Sequence, residues 1–214
     1  MKPTEEQALR VLALLAVLWF GMKGANAATV NYRSQPAFAA ATTGTTTIAF
    51  ENIAPTNGFV PYGNGGSLTL SGVTFQTDAD IYLYVNSGTY YETHKPPTYN
   101  LGAGDYLLAG NGAPSFILIT LPFPVTAIGF YLGTFDITGQ VTISTFPNND
   151  VFTTSAPYPS RRYIGLTFSE PVSSVQIEIT DGNRQDTLSL DEFTFGFAIP
   201  ESSTNVRKPT ELAK

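Results

Sequence analysis

The stretch LSLDEFTFGFA, Leu188 to Ala198, decides the fold class of this chain. Its apolar residues alternate with polar ones, first at positions 188 and 190 and then at positions 193, 195 and 197. This period of two is typical of a half-buried β-strand. The apolar positions change from even to odd across Asp191-Glu192. A slip of one residue predicts a β-bulge at these two acids.

The same alternation recurs along the chain in short segments bounded by Gly, Pro, Asn or Asp. They are TTTIAFE, SLTLSGVTF, IYLYV, SFILITL, VTAIGFYL, QVTISTF, RYIGLTF and SSVQIEIT. Many short strands at regular spacing predict an all-β fold, an antiparallel two-sheet β-sandwich that is jelly-roll-like. We expect the core to contain Ile48, Phe50, Leu70, Phe75, Ile117, Ile119, Ile128, Phe130, Ile143, Leu166, Phe168, Ile177, Phe193 and Phe195.

Two further local features follow from the pattern. A second change of phase, from Leu68 and Leu70 to Val73 and Phe75, crosses Ser71-Gly72 and fits either a bulge or a tight turn, since Gly allows a positive φ. The segment QPAFAAA, residues 35–41, is the one place after residue 28 where a short helix is expected.

The first 27 residues have the pattern of a signal peptide. Basic residues precede the apolar run VLALLAVLWF, and Ala25-Asn26-Ala27 has the small-x-small form of a cleavage site. We therefore expect an exported protein, with a signal peptide at 1–27, a β-sandwich at 28–198 and a disordered tail at 199–214. The alternative is an uncleaved N-terminal anchor, but a run of about ten apolar residues is short of the roughly 20 that span a bilayer. We expect no membrane span in the mature chain.

Charge and cysteine content exclude several classes of protein. The chain carries 11 basic and 17 acidic residues, a net charge of −6, and removal of the signal peptide makes this −7. Such acidity disfavours nucleic-acid binding. The chain has no cysteine, so no disulfide, thiol chemistry or Cys-ligated metal is available to it.

Several short segments of the sequence, taken in order along the chain, resemble a known family. They are IAFEN, SGVTF, PVTAIGFYLG, LSLDEFTFG and the final IPESST, and together they resemble the exported β-sandwich domains of PEP-CTERM-type bacterial surface proteins. Pro200-Glu201 matches the Pro-Glu-Pro box of that family, but Ser202 replaces the second Pro and no apolar anchor follows. The resemblance implies the fold and a place outside the cell, among extracellular polymers and other envelope proteins.

Three acids are candidate ligands of a structural calcium ion. Asp191 and Glu192 lie in the last strand, and Glu51 follows the first strand directly, so pairing of those strands would bring them together. Carboxylate and carbonyl oxygens are the ligands that Ca²⁺ prefers. The alternative is that all three acids are solvated. A second acidic pair, Asp78 and Asp80, would have both side chains on one face of an extended chain, where they could bind a cation or sugar hydroxyls. Such a pair is more often a solvated turn before a strand.

Tyrosines mark a candidate ligand-binding surface. The only Trp lies in the signal peptide, so stacking on a sugar ring would fall to tyrosine. Tyr82 and Tyr84 alternate with apolar residues, and the long loop that follows is rich in aromatic residues. The candidate ligand-binding residues are Tyr82, Tyr84, Tyr90, Tyr91, His94 and Tyr99. The alternative is that some of these rings pack beneath the loop.

Catalysis finds little support in the sequence. His94 is the sole imidazole, and no G-x-S-x-G elbow or His cluster accompanies it. We therefore expect no enzymatic activity, although a pair of carboxylates could still serve a glycoside hydrolase. The sequence favours a secreted or cell-surface structural or adhesive protein of the bacterial envelope or extracellular matrix. A carbohydrate-binding module that uses the Tyr-rich loop is the alternative.

Overall fold

The computed structural model describes residues 29–90, 104–110, 116–134, 138–158, 160–180 and 186–200. The expected signal peptide and the tail from residue 201 lie outside these ranges. The elements are β1 (Thr29–Tyr32), α1 (Gln35–Ala40), β2 (Thr42–Ile48), β3 (Phe59–Asn64), β4 (Ser67–Leu70), β5 (Val73–Gln76), β6 (Tyr82–Asn86), β7 (Tyr106–Gly110), β8 (Phe116–Thr134), β9 (Gly139–Phe146), β10 (Val151–Ala156), β11 (Arg161–Ile179) and β12 (Leu188–Ala198). Residues 88–90 add a helical turn after β6.

All pairings among these strands are antiparallel. The order of the strands in the sheet is β10-β9-β11-β8-β12-β7-β6-β3. Strands β8 and β11 each have 19 residues and pair with each other along both of their halves. One half of each lies beside β5 and β9, and we call this part of the sheet layer A. The other half lies beside β12 and β1, in layer B. The predicted antiparallel β-sandwich is confirmed.

The core lies between the two layers. Phe75 of layer A meets Phe193 of layer B with ring centroids 5.5 Å apart, and Phe193 stacks on Phe130 at 6.1 Å. The change of layer occurs where β8 contains Pro122 and Pro124, and where the register of β11 against β8 shifts between positions 167 and 172. Proline cannot donate to a strand ladder, which suits the point where a strand leaves one layer for the other.

The short helix α1 packs on the outside of layer B. Its Phe38 is 1% exposed and lies over Gly129 and Gly165, which are opposite each other in the pairing of β8 with β11. A Cβ atom at Gly165 would come within 2.6 Å of the Phe38 ring. The predicted helix is therefore present, and its Phe38 ring occupies the space that Gly129 and Gly165 leave because they have no side chain.

The two predicted changes of phase have different structures. Ser71 and Gly72 have φ values of 49° and 81° and form the tight turn of the β4–β5 hairpin. Between Asp191 and Thr194 the register against β8 slips by one residue, and Glu192 has φ 49°, so the predicted bulge is confirmed.

The predicted core is buried with one exception. Leu70 was expected in the core but is only partly buried, because it is the last residue of β4 before the turn, while Leu68 is buried instead. Within the described residues, no helix is long and apolar enough to cross a membrane.

Candidate functional site

Strand β6 places its tyrosines on the outer face of layer B. Leu83 and Val85 are fully buried in the main core, so Tyr82 and Tyr84 lie on the opposite face of the strand. Tyr84 packs with Tyr106 of β7 in a separate aromatic cluster, and the ring centroids of Tyr82 and Tyr84 are 6.2 Å apart. Tyr84 is mostly covered, whereas Tyr82 is half-buried.

Phe59 of β3 extends this aromatic face, and the sequence analysis missed it. Strand β3 pairs with β6, and the Phe59 ring meets Tyr84 at 6.2 Å and Tyr90 at 5.5 Å, both edge to face. Phe59 is 44% exposed, which is high for so large an apolar side chain. It was missed because it lies in a segment rich in Gly, Pro and Asn that is typical of a loop. We call Phe59, Tyr82, Tyr84 and Tyr90 the aromatic face.

A polar pocket of about 340 Å³ lies next to the aromatic face. Two hydrogen bonds join the segments that border it, from Gly58 N to Ser87 Oγ at 3.2 Å and from Asn57 N to Thr89 Oγ1 at 3.3 Å. These bonds put the pocket beside Phe59 and Tyr90, the neighbours of Gly58 and Thr89 in the chain. The pocket is lined by Glu51, Asn52, Ala54, Thr56, Ser87, Gly88, Thr89, Gly104 and Asp105.

Two carboxylates belong to the lining of this pocket. Asp105 is buried, and its Oδ2 accepts hydrogen bonds from the backbone N–H groups of Ile53 at 3.0 Å and Ala54 at 2.8 Å. These bonds hold the loop after β2 against the start of β7. Glu51 is exposed, and its Oε2 accepts a long hydrogen bond of 3.4 Å from the Asp105 N–H. The Glu51 carboxylate is thus open to solvent at the pocket.

Asn86 is a buried polar residue at the end of β6. Its side chain is fully buried, and among the described residues its amide nitrogen and oxygen have no hydrogen-bond partner. By the alternation along β6 it lies on the same face as Tyr82 and Tyr84. A buried amide without partners costs about 1–3 kcal/mol, so Asn86 lowers the stability of the folded protein.

Not all the predicted ligand-binding residues can be placed. Tyr82, Tyr84 and Tyr90 come together in the aromatic face, as described above. Tyr91, His94 and Tyr99 lie outside the described residues. Asp78 and Asp80 are exposed in a turn before β6, in which Ile81 N donates to Asp78 O at 3.0 Å.

The three acids proposed as calcium ligands have separate partners. Strand β2 does pair with β12, as that proposal required. Glu51, however, lies at the polar pocket, while Glu192 accepts a hydrogen bond of 2.8 Å from Gln35 of α1, and Asp191 forms an ion pair with Arg161. Among the described residues, no group of three or more Asp, Glu, His or Cys side chains could hold a metal ion. Calcium binding itself stays a prediction.

The Asp191 carboxylate is buried and paired with a cation, the Arg161 guanidinium. It is 5% exposed and contacts the Arg161 guanidinium, which also lies 4.3 Å above the Tyr131 ring. Burial raises the pKa of Asp191 to about 7, although the Glu192 N–H and the Arg161 charge lower it in part. No local pattern in the sequence marks Arg161 as the partner of Asp191, because the contact depends on which strands face each other.

The described residues thus define an antiparallel β-sandwich with an aromatic face beside a polar pocket. No protein-family model and no curated protein matches the chain. Solved structures with a similar arrangement of strands include a family 29 carbohydrate-binding module from Piromyces equi, with 9% identity over 72% of this chain and 93% of that one, and a TM-score of 0.40.

Two further solved structures are similar at the same level. A family 29 module in complex with mannohexaose has 12% identity over 72% of this chain and 92% of that one, with a TM-score of 0.35. The K2 cleaved adhesin domain of Lys-gingipain has 10% identity over 71% of this chain and 98% of that one, with a TM-score of 0.46. Likeness at these TM-scores carries no inference about what this chain binds.

Proposed function

We propose that this protein is an exported, non-catalytic carbohydrate-binding protein that recognises a polysaccharide through its aromatic face and the adjoining polar pocket. The observation that carries the proposal is the position of Phe59, exposed at 44%, beside a pocket whose lining supplies hydroxyl and carboxylate groups. Sugar rings stack on flat apolar surfaces, while their hydroxyls need polar partners close by. Both kinds of group are present here within one surface.

The aromatic face and the polar pocket would contribute differently to binding: the rings would stack on the sugar, and the pocket would hydrogen-bond its hydroxyls. The rings of Phe59 and Tyr90 meet edge to face at 5.5 Å, so each limits the rotation of the other. A ring whose rotation is already limited loses less conformational freedom when a ligand stacks on it. The hydroxyls of Thr56, Ser87 and Thr89 can both donate and accept, which suits the hydroxyls of a sugar.

Binding of the purified protein to a panel of polysaccharides by affinity gel electrophoresis tests the proposal. We expect at least one polysaccharide to retard the protein, and Phe59→Ala and Tyr82→Ala to weaken that binding at least tenfold each, about 1.4 kcal/mol or more. Phe123→Ala is the matched control, because Phe123 is 46% exposed but packs against Phe195 and Phe197 instead. Equal loss in all three variants, or no binding to any polysaccharide, would refute the proposal.

A structural role in the envelope or extracellular matrix is the second candidate, and a different surface favours it. Val30, Phe197 and Ile199 are all exposed by 42% or more and border a groove of about 560 Å³, and Phe197 stacks on the exposed Phe123. Contiguous exposed apolar groups are typical of protein contact surfaces. Concentration-dependent association in sedimentation velocity that Phe197→Ser abolishes would support this role.

A further inference from the structure

The backbone around Glu51 holds this side chain in a defined position at the polar pocket. The residues on either side, Phe50 and Asn52, have φ values of 56° and 62°. A left-handed conformation is uncommon for residues other than glycine and costs them about 1 kcal/mol or more. Two such residues in three positions turn the chain sharply after β2 and direct Glu51 toward the segment before β7.

In that segment, the Glu51 carboxylate lies against Gly104. Gly104 has φ 107°, and a Cβ atom at this position would overlap the Glu51 carboxylate. The next residue, Asp105, donates its N–H to Glu51 Oε2 at 3.4 Å and is itself a lining residue of the pocket. The Glu51 carboxylate therefore lies against the backbone of Gly104 and Asp105.

We propose that Glu51 is a specificity-determining residue that makes this site select uncharged glycans over glycans carrying carboxylate or sulfate groups. An ionised carboxylate accepts hydrogen bonds from sugar hydroxyls and repels an anionic substituent at the same distance. This inference rests on the proposed function, since it assigns a ligand class to the same site.

The test compares polymers that share a backbone and differ in charge. Hydroxyethyl cellulose and carboxymethyl cellulose form one such pair, and methyl-esterified and de-esterified homogalacturonan form another. In affinity gel electrophoresis at low salt, we expect the neutral member of a bound pair to bind about fivefold more tightly, the effect of two unit charges about 4 Å apart in water. The difference should shrink in about 0.5 M salt, because salt screens exposed charges.

Two variants separate the local charge from the net charge of the protein. Glu51→Gln should reduce the preference to less than twofold while the neutral polymer stays bound. Glu170→Gln removes the same charge from an exposed position outside the pocket and should leave the preference unchanged. Equal or tighter binding of the anionic polymer by the unaltered protein would overturn the inference, and so would an unchanged preference in Glu51→Gln.

A second pair of variants tests the seat of the carboxylate. Gly104→Ala should displace Glu51 and reduce the preference as Glu51→Gln does. Gly63→Ala is the control, because Gly63 also has a positive φ, 88°, but a Cβ there would meet nothing within 4 Å. An unchanged preference in Gly104→Ala would contradict the positioning. Absence of binding to every polymer would overturn the proposed function and this inference together, whereas binding without charge preference would overturn the inference alone.

Discussion

Replacing Arg161 with Gln removes the counter-ion of a buried carboxylate. Asp191 is 5% exposed, and its other oxygen accepts the Glu192 N–H at 2.7 Å. Removing one partner of a buried ion pair typically costs about 3–5 kcal/mol. Because Asp191 has a pKa of about 7, taking up a proton at pH 8 costs it only about 1.4 kcal/mol. With about 1 kcal/mol for the other lost contacts of Arg161, we expect a loss of about 2 kcal/mol at pH 8.

The loss should depend on pH, because Asp191 can take up a proton. Its pKa in the native protein is raised to about 7 by burial, against about 3.9 in an unfolded chain. The native state therefore binds this proton more tightly, and the resulting stabilisation is fully present below about pH 4 and is lost as the pH rises through 7. Without Arg161 the pKa rises further, so that a neutral Asp191 reduces the cost of Arg161→Gln to about 1 kcal/mol at pH 5.

Urea unfolding between pH 4 and 9 measures both effects. Asp191→Asn is the control for other titrating groups, and in its background Arg161→Gln should cost under about 1 kcal/mol at every pH, because no buried charge is left unpaired. An equal loss from Arg161→Gln at pH 5 and pH 8, or a loss below about 1 kcal/mol at pH 8, would refute this account of the ion pair.

Three further predictions concern other parts of the molecule. Phe38→Ala should lower the free energy of unfolding by about 3–5 kcal/mol in urea unfolding because it empties the seat of α1, whereas Val151→Ala at a 65% exposed position should change it by under about 0.5 kcal/mol. Asn86→Leu should raise stability by about 1 kcal/mol because it removes a buried amide that has no partner among the described residues; a fall would show that this amide is hydrogen-bonded after all. If calcium binds at the bulge, thermal unfolding should shift upward by several degrees between EGTA and excess Ca²⁺, and Asp191→Asn should abolish the shift; an equal Tm in both conditions would leave no calcium site there.

The elements that sequence predicts well are those with a strong local pattern. Alternation of apolar residues located most strands, and the change of phase at Asp191-Glu192 located the bulge, because a single extra residue inverts every side chain after it. Ser71-Gly72 produced the same change of phase by a turn. Local pattern could not distinguish the two, since both change the phase of the apolar residues that follow. Leu70 is less buried than predicted because it is the last residue of β4 before the turn.

The remainder depends on contacts between distant parts of the chain. Arg161 meets Asp191 because two strands pair in a particular register, and the sequence does not report register between strands 30 residues apart. Glu51 meets Gly104 across a still larger separation of the chain, so local pattern could not predict this contact. Phe59 was missed because its segment has the composition of a loop, and its place beside Tyr84 depends on the pairing of β3 with β6.

Strands β8 and β11 each belong to both layers, and this governs how the protein comes apart. In layer B, β12 pairs with β8 and β1 pairs with β11, so unfolding layer A would unfold half of each strand that these two pair with. Unfolding layer B would likewise unfold half of β11, with which β9 pairs in layer A. A form with one layer folded and the other open therefore has no independent basis for stability. Limited proteolysis should accordingly yield the intact sandwich or small peptides, with no persistent half-domain between them.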